Sequence, residues 1–151
     1  MYQIFVSDDM GMLDGLTAAL RNRTNQPVEI TAEAIENADR LANRVAETEP
    51  DALVAGGLTP VDAGVLSATE LDLVARGGVG YDNVDLTAAR ERGVTVTNAP
   101  DYCREEVATH AVSLLLATTR RVGRYDSQTR NGGGDWGEGP APTRPRRQTP
   151  G

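Results

Sequence analysis

Five short apolar runs rich in β-branched residues recur through the first hundred positions, and segments of helical period lie between them. The runs are QIFVS at 3–7, VEIT at 28–31, ALVAG at 52–56, DLVAR at 72–76 and VTVTN at 94–98. Runs of this length, set off by turn residues, read as buried strands. In the intervals, Met12, Leu13, Leu16, Ala19 and Leu20 share one helical face, as do Ile35, Ala38, Ala42 and Val45. Thr59-Pro60-Val61-Asp62 offers a capping hydroxyl, a proline suited to a first turn and an acid two positions later, and Asp85 can cap LTAARER before Gly93 stops it. Strand and helix alternating at this spacing require right-handed crossovers and a parallel sheet covered on both faces. The expected fold class is therefore α/β, a flavodoxin-like three-layer sandwich with a parallel sheet.

A longer helical segment follows, from Glu105 to Arg124. Val107, Ala108, Ala111, Val112, Leu114, Leu115, Leu116 and Ala117 make it apolar around much of its girth, so it calls for burial on more than one side. The composition then changes abruptly to NGGGDWGEGPAPTRPRRQTPG, where neither strand nor helix period survives. Residues 131–151 are expected to be disordered, because too few apolar side chains are present to offset the entropy of ordering so many glycines. The expected organisation is residues 1–98 as one domain, 99–130 as a hinge and interdomain helix, and 131–151 as a flexible tail.

The charge narrows the function classes. Acidic residues number 22 against 15 basic ones, and every basic residue is arginine. That balance fits a salt-rich cytoplasm, where a carboxylate surface stays soluble under heavy screening, and it equally fits a GC-rich genome that favours arginine codons. Arg144, Arg146 and Arg147 on a chain of net charge −7 read as a solvated tail, so no nucleic-acid partner is expected. No apolar run approaches the ~20 residues that span a bilayer, and the start lacks the basic flank and cleavage site of a signal peptide, which points to a cytoplasmic protein without a membrane partner. The single cysteine, Cys103, can form no internal disulfide and no metal site by itself, and it reads as a neutral thiol.

The chemistry concentrates after the fourth run. Arg76-Gly77-Gly78-Val79-Gly80-Tyr81-Asp82-Asn83 leaves backbone N–H groups uncovered by side chains and open to an anion, although a glycine-rich connection at a strand end would look the same. Gly78-Val79-Gly80 also begins like the dinucleotide fingerprint G-x-G-x-x-G, but Asn83 takes the place of the third glycine and the pattern fails.

Residues 74–121, VARGGVGYDNVDLTAARERGVTVTNAPDYCREEVATHAVSLLLATTRR, closely resemble the D-2-hydroxyacid dehydrogenase family, including its phosphoglycerate dehydrogenase and glyoxylate or hydroxypyruvate reductase branches. The resemblance implies an oxidoreductase that uses NAD on 2-hydroxy acids. It implies that the backbone amides of Gly78, Val79 and Gly80 meet the substrate carboxylate, that Asn98-Ala99-Pro100 is the crossover between domains, and that Val107 and Ala108 adjoin the nicotinamide end of the cofactor; Arg76, at the start of the loop, is the candidate substrate-binding cation in place of the family's arginine. Arg104 stands where the family carries a Ser or Thr cap, so that helix end is expected to be poorly capped. His110, the only histidine, matches a packing position on the interdomain helix, and the family's catalytic histidine, glutamate and arginine have no counterpart here. No catalytic residue and no metal ligand is therefore assigned.

RPRRQTPG stands where the resemblance implies the approach to the nucleotide-binding half. The expectation is a truncated family member, inactive by itself, that binds no NAD alone and binds a 2-hydroxy or 2-oxo acid weakly. A frameshift, a gene remnant and a deliberate fragment all fit. The alternative is an interaction module that pairs with itself or with full-length relatives through the 105–124 helix. A response-regulator receiver, suggested by Asp8-Asp9, is disfavoured because Gly56 and Gly57 follow the third run where a phosphoacceptor Asp is needed, and the chain has no lysine.

Overall fold

A computed structural model of the protein describes residues 1–8 and 13–133. Each of the five runs is a strand: β1 Tyr2–Val6, β2 Val28–Ala32, β3 Ala52–Ala55, β4 Leu73–Arg76 and β5 Thr95–Thr97. They form one sheet in the order β2-β1-β3-β4-β5, parallel at every pairing. Four helices connect them, α1 Leu13–Arg21, α2 Ala38–Thr48, α3 Ala63–Ser67 and α4 Leu86–Glu91. The chain divides into a unit spanning Met1–Tyr102, which holds the whole sheet, and a second unit that begins at Cys103.

The β1→β2 step runs opposite to β2→β3, so right-handed crossovers place α1 on one face and α2, α3 and α4 on the other. The second group forms the core. Phe5, Leu53 and Val74 lie side by side in register on neighbouring strands and are fully buried against Leu41, Val45, Val65, Leu66, Ala88 and Ala89. On the opposite face, Leu73 and Ala75 are half-buried and Thr95 and Thr97 exposed, and within this unit α1 is the described helix on that side. Ile35, placed by its period on the α2 face, precedes that helix yet is buried, and Leu41 joins Val45 as the helix's fully buried contact while Ala38 and Ala42 pack at its margin.

Capping follows the sequence at one end and departs from it at another. Asp85 accepts from the N–H groups of Thr87 and Ala88, and Gly93 ends α4 with φ +74°, a conformation glycine adopts without strain. For α3 the cap is Asp62, which accepts from Val65 N–H, and not Thr59. Thr59 is buried, with its hydroxyl within hydrogen-bonding distance of the Ile35 carbonyl at 3.1 Å and of the Ser7 side chain at 3.1 Å. A hydroxyl that joins three segments inside the core is unavailable to a helix end.

In the second unit the expected single helix is two, α5 Arg104–Arg120 and α6 Val122–Arg130, separated by Arg121 in the left-handed region at φ 57°. Thr118, Thr119 and Gly123, all weak helix formers, surround the break. The residue at the N-cap position of α5 is Cys103, with Arg104 the first helical residue. That end has no side-chain cap, and Glu105 and Glu106 in the first turn complement the helix dipole instead. No residue of α5 or α6 is buried, so the burial expected of the apolar helix is not met within the described residues. Asn131, Gly132 and Gly133 close α6 through Gly133 N–H to the Gln128 carbonyl. The rest of the expected tail lies outside the described residues.

Beyond β2, Glu33 accepts from Arg40 and, at 2.8 Å, from Arg44 Nε, while Arg44 also reaches Glu47. Hydrogen bonds from Arg44 and then Arg40 hold the Glu33 carboxyl below its ordinary value. A carboxylate with a lowered folded-state pKa contributes stability that is present above the unfolded value, about 4.3 for Glu, and is lost as pH falls through the lowered one. The network is solvent-facing and its contribution small. The urea midpoint is accordingly expected to fall slightly more between pH 6 and pH 3 for the wild-type chain than for Glu33→Gln, and equal slopes would show that the network contributes nothing.

Candidate functional site

In an open parallel α/β sheet, ligands bind beyond the carboxyl ends of the strands, and here several polar groups and glycines gather at that edge. Asp8 follows β1, Gly56 and Gly57 follow β3, Arg76-Gly77-Gly78 ends β4, and Asn98 follows β5. Gly77 N–H donates to Ala55 C=O at 3.0 Å and prolongs the β3–β4 ladder, so the glycine loop leaves the sheet at Gly78.

Arg76 lies across this edge. A Cβ on Gly78 would collide with its Nη1, and one on Gly57 would come within 3.0 Å of its Nη2. At the buried Gly78 the missing Cβ leaves the space that the guanidinium occupies, so a larger residue there would displace the arginine. Arg76 Nε is buried and has no hydrogen-bond acceptor among the described residues. A buried donor of this kind costs about 1–3 kcal/mol when unsatisfied, so the position favours an acceptor.

Of the three amides singled out by sequence, Gly78 N–H is engaged internally with Arg76 C=O at 2.8 Å. Val79 and Gly80 are exposed, and their N–H groups have no partner among the described residues. Their carbonyl sides are anchored: Gly78 C=O accepts from Ala99 N–H at 3.0 Å, and Val79 C=O accepts from Asn98 Nδ2 at 2.7 Å. At the far end of the loop, Asn83 Nδ2 donates to Gly56 C=O at 3.0 Å and to Thr59 C=O at 2.5 Å, stapling the β3 turn to the glycine loop. Neither asparagine contact is evident from sequence, although asparagine in a loop is the side chain best suited to satisfying backbone groups.

Val107 and Ala108 belong to the second unit, on exposed faces of α5, with Val107 65% exposed. His110 is exposed too, in a shallow cleft with Glu106 and Ser113, and no described residue buries it. The Gly78-Val79-Gly80 loop opens no helix, since α4 begins only at Leu86, and no second strand–helix unit carries three glycines. No group of three potential metal ligands occurs among the described residues either. No described helix is long and apolar enough to cross a membrane.

Residues 12–143 match the family described as D-isomer specific 2-hydroxyacid dehydrogenase, catalytic domain. The chain belongs to that family. Among its dehydrogenase relatives, the D-3-phosphoglycerate dehydrogenase of Mycobacterium leprae is 45% identical over 97 residues, covering 64% of this chain and 18% of that protein. The hydroxypyruvate reductase of Thermotoga maritima is 33% identical over 132 residues, which are 87% of this chain and 41% of that protein. The structure of D-lactate dehydrogenase from Aquifex aeolicus, complexed with NAD and lactic acid, superposes with a TM-score of 0.72 over 90% of this chain and 39% of that one; at 20% identity it shows the fold alone. This family member therefore spans between about a fifth and two-fifths of the length of those relatives.

Proposed function

We propose that this chain is the acid-binding part of an NAD-dependent 2-hydroxyacid oxidoreductase, and that it receives the carboxylate of a 2-hydroxy or 2-oxo acid. Val79 N–H and Gly80 N–H are the donors, Arg76 supplies the positive charge, and Gly78 supplies the close approach that lets the guanidinium lie there. The observation that carries this reading is the pair of amides without a partner among the described residues, in the loop whose Gly78 the Arg76 guanidinium covers, together with a buried Arg76 Nε that no described residue accepts from. Residues 99–102 and the start of α5 are the crossover toward the cofactor. The cofactor would supply the hydride acceptor, and none of the described residues is assigned a step in that transfer.

Charge-assisted hydrogen bonds contribute about 1.5–3 kcal/mol each, while immobilising a small ligand costs about 4 kcal/mol or more. With two amides and Arg76 contributing, a weak dissociation constant on the order of 1 mM follows, equivalent to roughly −4 kcal/mol. In an NMR titration of the 151-residue chain, the Val79 and Gly80 amides are expected to shift with millimolar D-glycerate and not with glycerol, and Arg76→Gln is expected to weaken binding about tenfold or more. Shifts confined to other residues would remove the loop from the site. Steady NADH oxidation with a 2-oxo acid by the chain alone would overturn the assignment of binding without turnover.

A second reading rests on α5, whose apolar side chains are uncovered in the described structure. In this reading the helix pairs the chain with another copy of itself, and pairing with a longer relative uses the same face.

A further inference from the structure

We infer that Asn98 is a positioning residue that aims the two carboxylate-binding amides. This rests on the proposed acid site and deepens it. A trans peptide unit is planar, so the C=O of one residue and the N–H of the next point in opposite directions. The peptide joining Gly78 to Val79 has its carbonyl held by Ala99 N–H at 3.0 Å, and the peptide joining Val79 to Gly80 has its carbonyl held by Asn98 Nδ2 at 2.7 Å. Both anchors come from the two residues that directly follow β5. With both carbonyls turned toward that segment, the N–H groups of Val79 and Gly80 turn away from it together, and neither has a partner among the described residues.

The Ala99 anchor is backbone and any residue but proline could supply it. The Asn98 anchor is a side chain, and among the described residues it is the group that holds the second peptide. Donation into the Val79 carbonyl also polarises that peptide and makes Gly80 N–H a stronger donor. Without it, an exposed loop with a glycine on each side of Val79 is free to rotate the Val79–Gly80 peptide, and the two amides cease to converge.

The test uses the 15N-labelled 151-residue chain titrated with D-glycerate, with Asn98→Ala and Asn98→Asp as variants and Thr97→Ala, an exposed neighbour, as control. Asn98→Ala is expected to raise the dissociation constant read at Val79 and Gly80 by about 3- to 10-fold, the effect of one ordinary hydrogen bond. Asn98→Asp should raise it further, because a carboxylate cannot donate and repels both the Val79 carbonyl and the ligand. The Gly80 amide should move in the ligand-free spectra of both variants while core amides such as Leu53 and Val74 stay in place, and Thr97→Ala should bind within about twofold of wild type. Wild-type shifts at Val79 and Gly80 with undiminished binding by Asn98→Ala would overturn this inference and leave the acid site standing. No shift at either amide in the wild-type chain would overturn both. Should the variants lose their core amide dispersion, the wild-type chain decides: a scalar coupling from Asn98 Nδ2 to the Val79 carbonyl carbon that strengthens with D-glycerate supports the assignment, and its absence refutes it.

Discussion

Phe5→Ala is expected to destabilise the sheet-bearing unit by about 3–5 kcal/mol, the cost of deleting a large aromatic side chain from a packed core. Phe5 is fully buried, lies opposite Leu53 in the β1–β3 register, and belongs to the cluster closed by Leu41 and Val45 of α2. Collapse of α2 into the space is hindered because its neighbours Ile35, Val61 and Val65 are themselves fully packed. Tyr2→Ala provides the comparison on the same strand, since Tyr2 is 46% exposed. Its cost should stay within about 1 kcal/mol. Urea denaturation followed by circular dichroism measures both. Equal losses would show that the core is not organised around the α2–α3–α4 face of the sheet.

The second large effect concerns association. Val107, Val112, Leu114, Leu115 and Leu116 are exposed along α5, with Leu115 at 53%. Soluble monomers seldom present a contiguous apolar patch larger than a few hundred Å². Burying one leucine side chain stabilises by roughly 1.5–3 kcal/mol, so helix pairing between two copies can be strong. Light scattering is expected to show a mass that rises with concentration, and Leu115→Asp should weaken association by about tenfold or more. A mass equal to that of one chain at high concentration, unchanged by Leu115→Asp, would remove the second reading.

Local signals in the sequence determined much of this molecule. Each of the five apolar runs became a strand, because a short β-branched run bounded by turns has few other ways to satisfy its backbone and bury its side chains. Asp85 and Gly93 bracket α4 as read, since a carboxylate reaching amides two and three residues ahead and a positive φ are decided within a single turn. The resemblance of residues 74–121 led to the family for the same reason: its motifs are contiguous. Tertiary structure decided what those signals could not carry. Thr59 has the chemistry of a cap, yet its hydroxyl bonds residues 24 and 52 positions away, and Asp62 caps the helix instead. Leu41 and not Ala42 became the fully buried contact of α2, a choice between two residues of the same helical face that the period does not make. The glycine loop was legible as an anion-binding candidate, but which of its amides remain available was not. Gly78 N–H turns back on Arg76, and Val79 and Gly80 face outward because Asn98 and Ala99, some twenty residues later in the chain, hold the opposite ends of their peptides. That arrangement depends on β5 lying beside β4, a consequence of crossover handedness and strand order. Sequence specifies which groups are capable of binding, and only the packed sheet brings the partners that orient them.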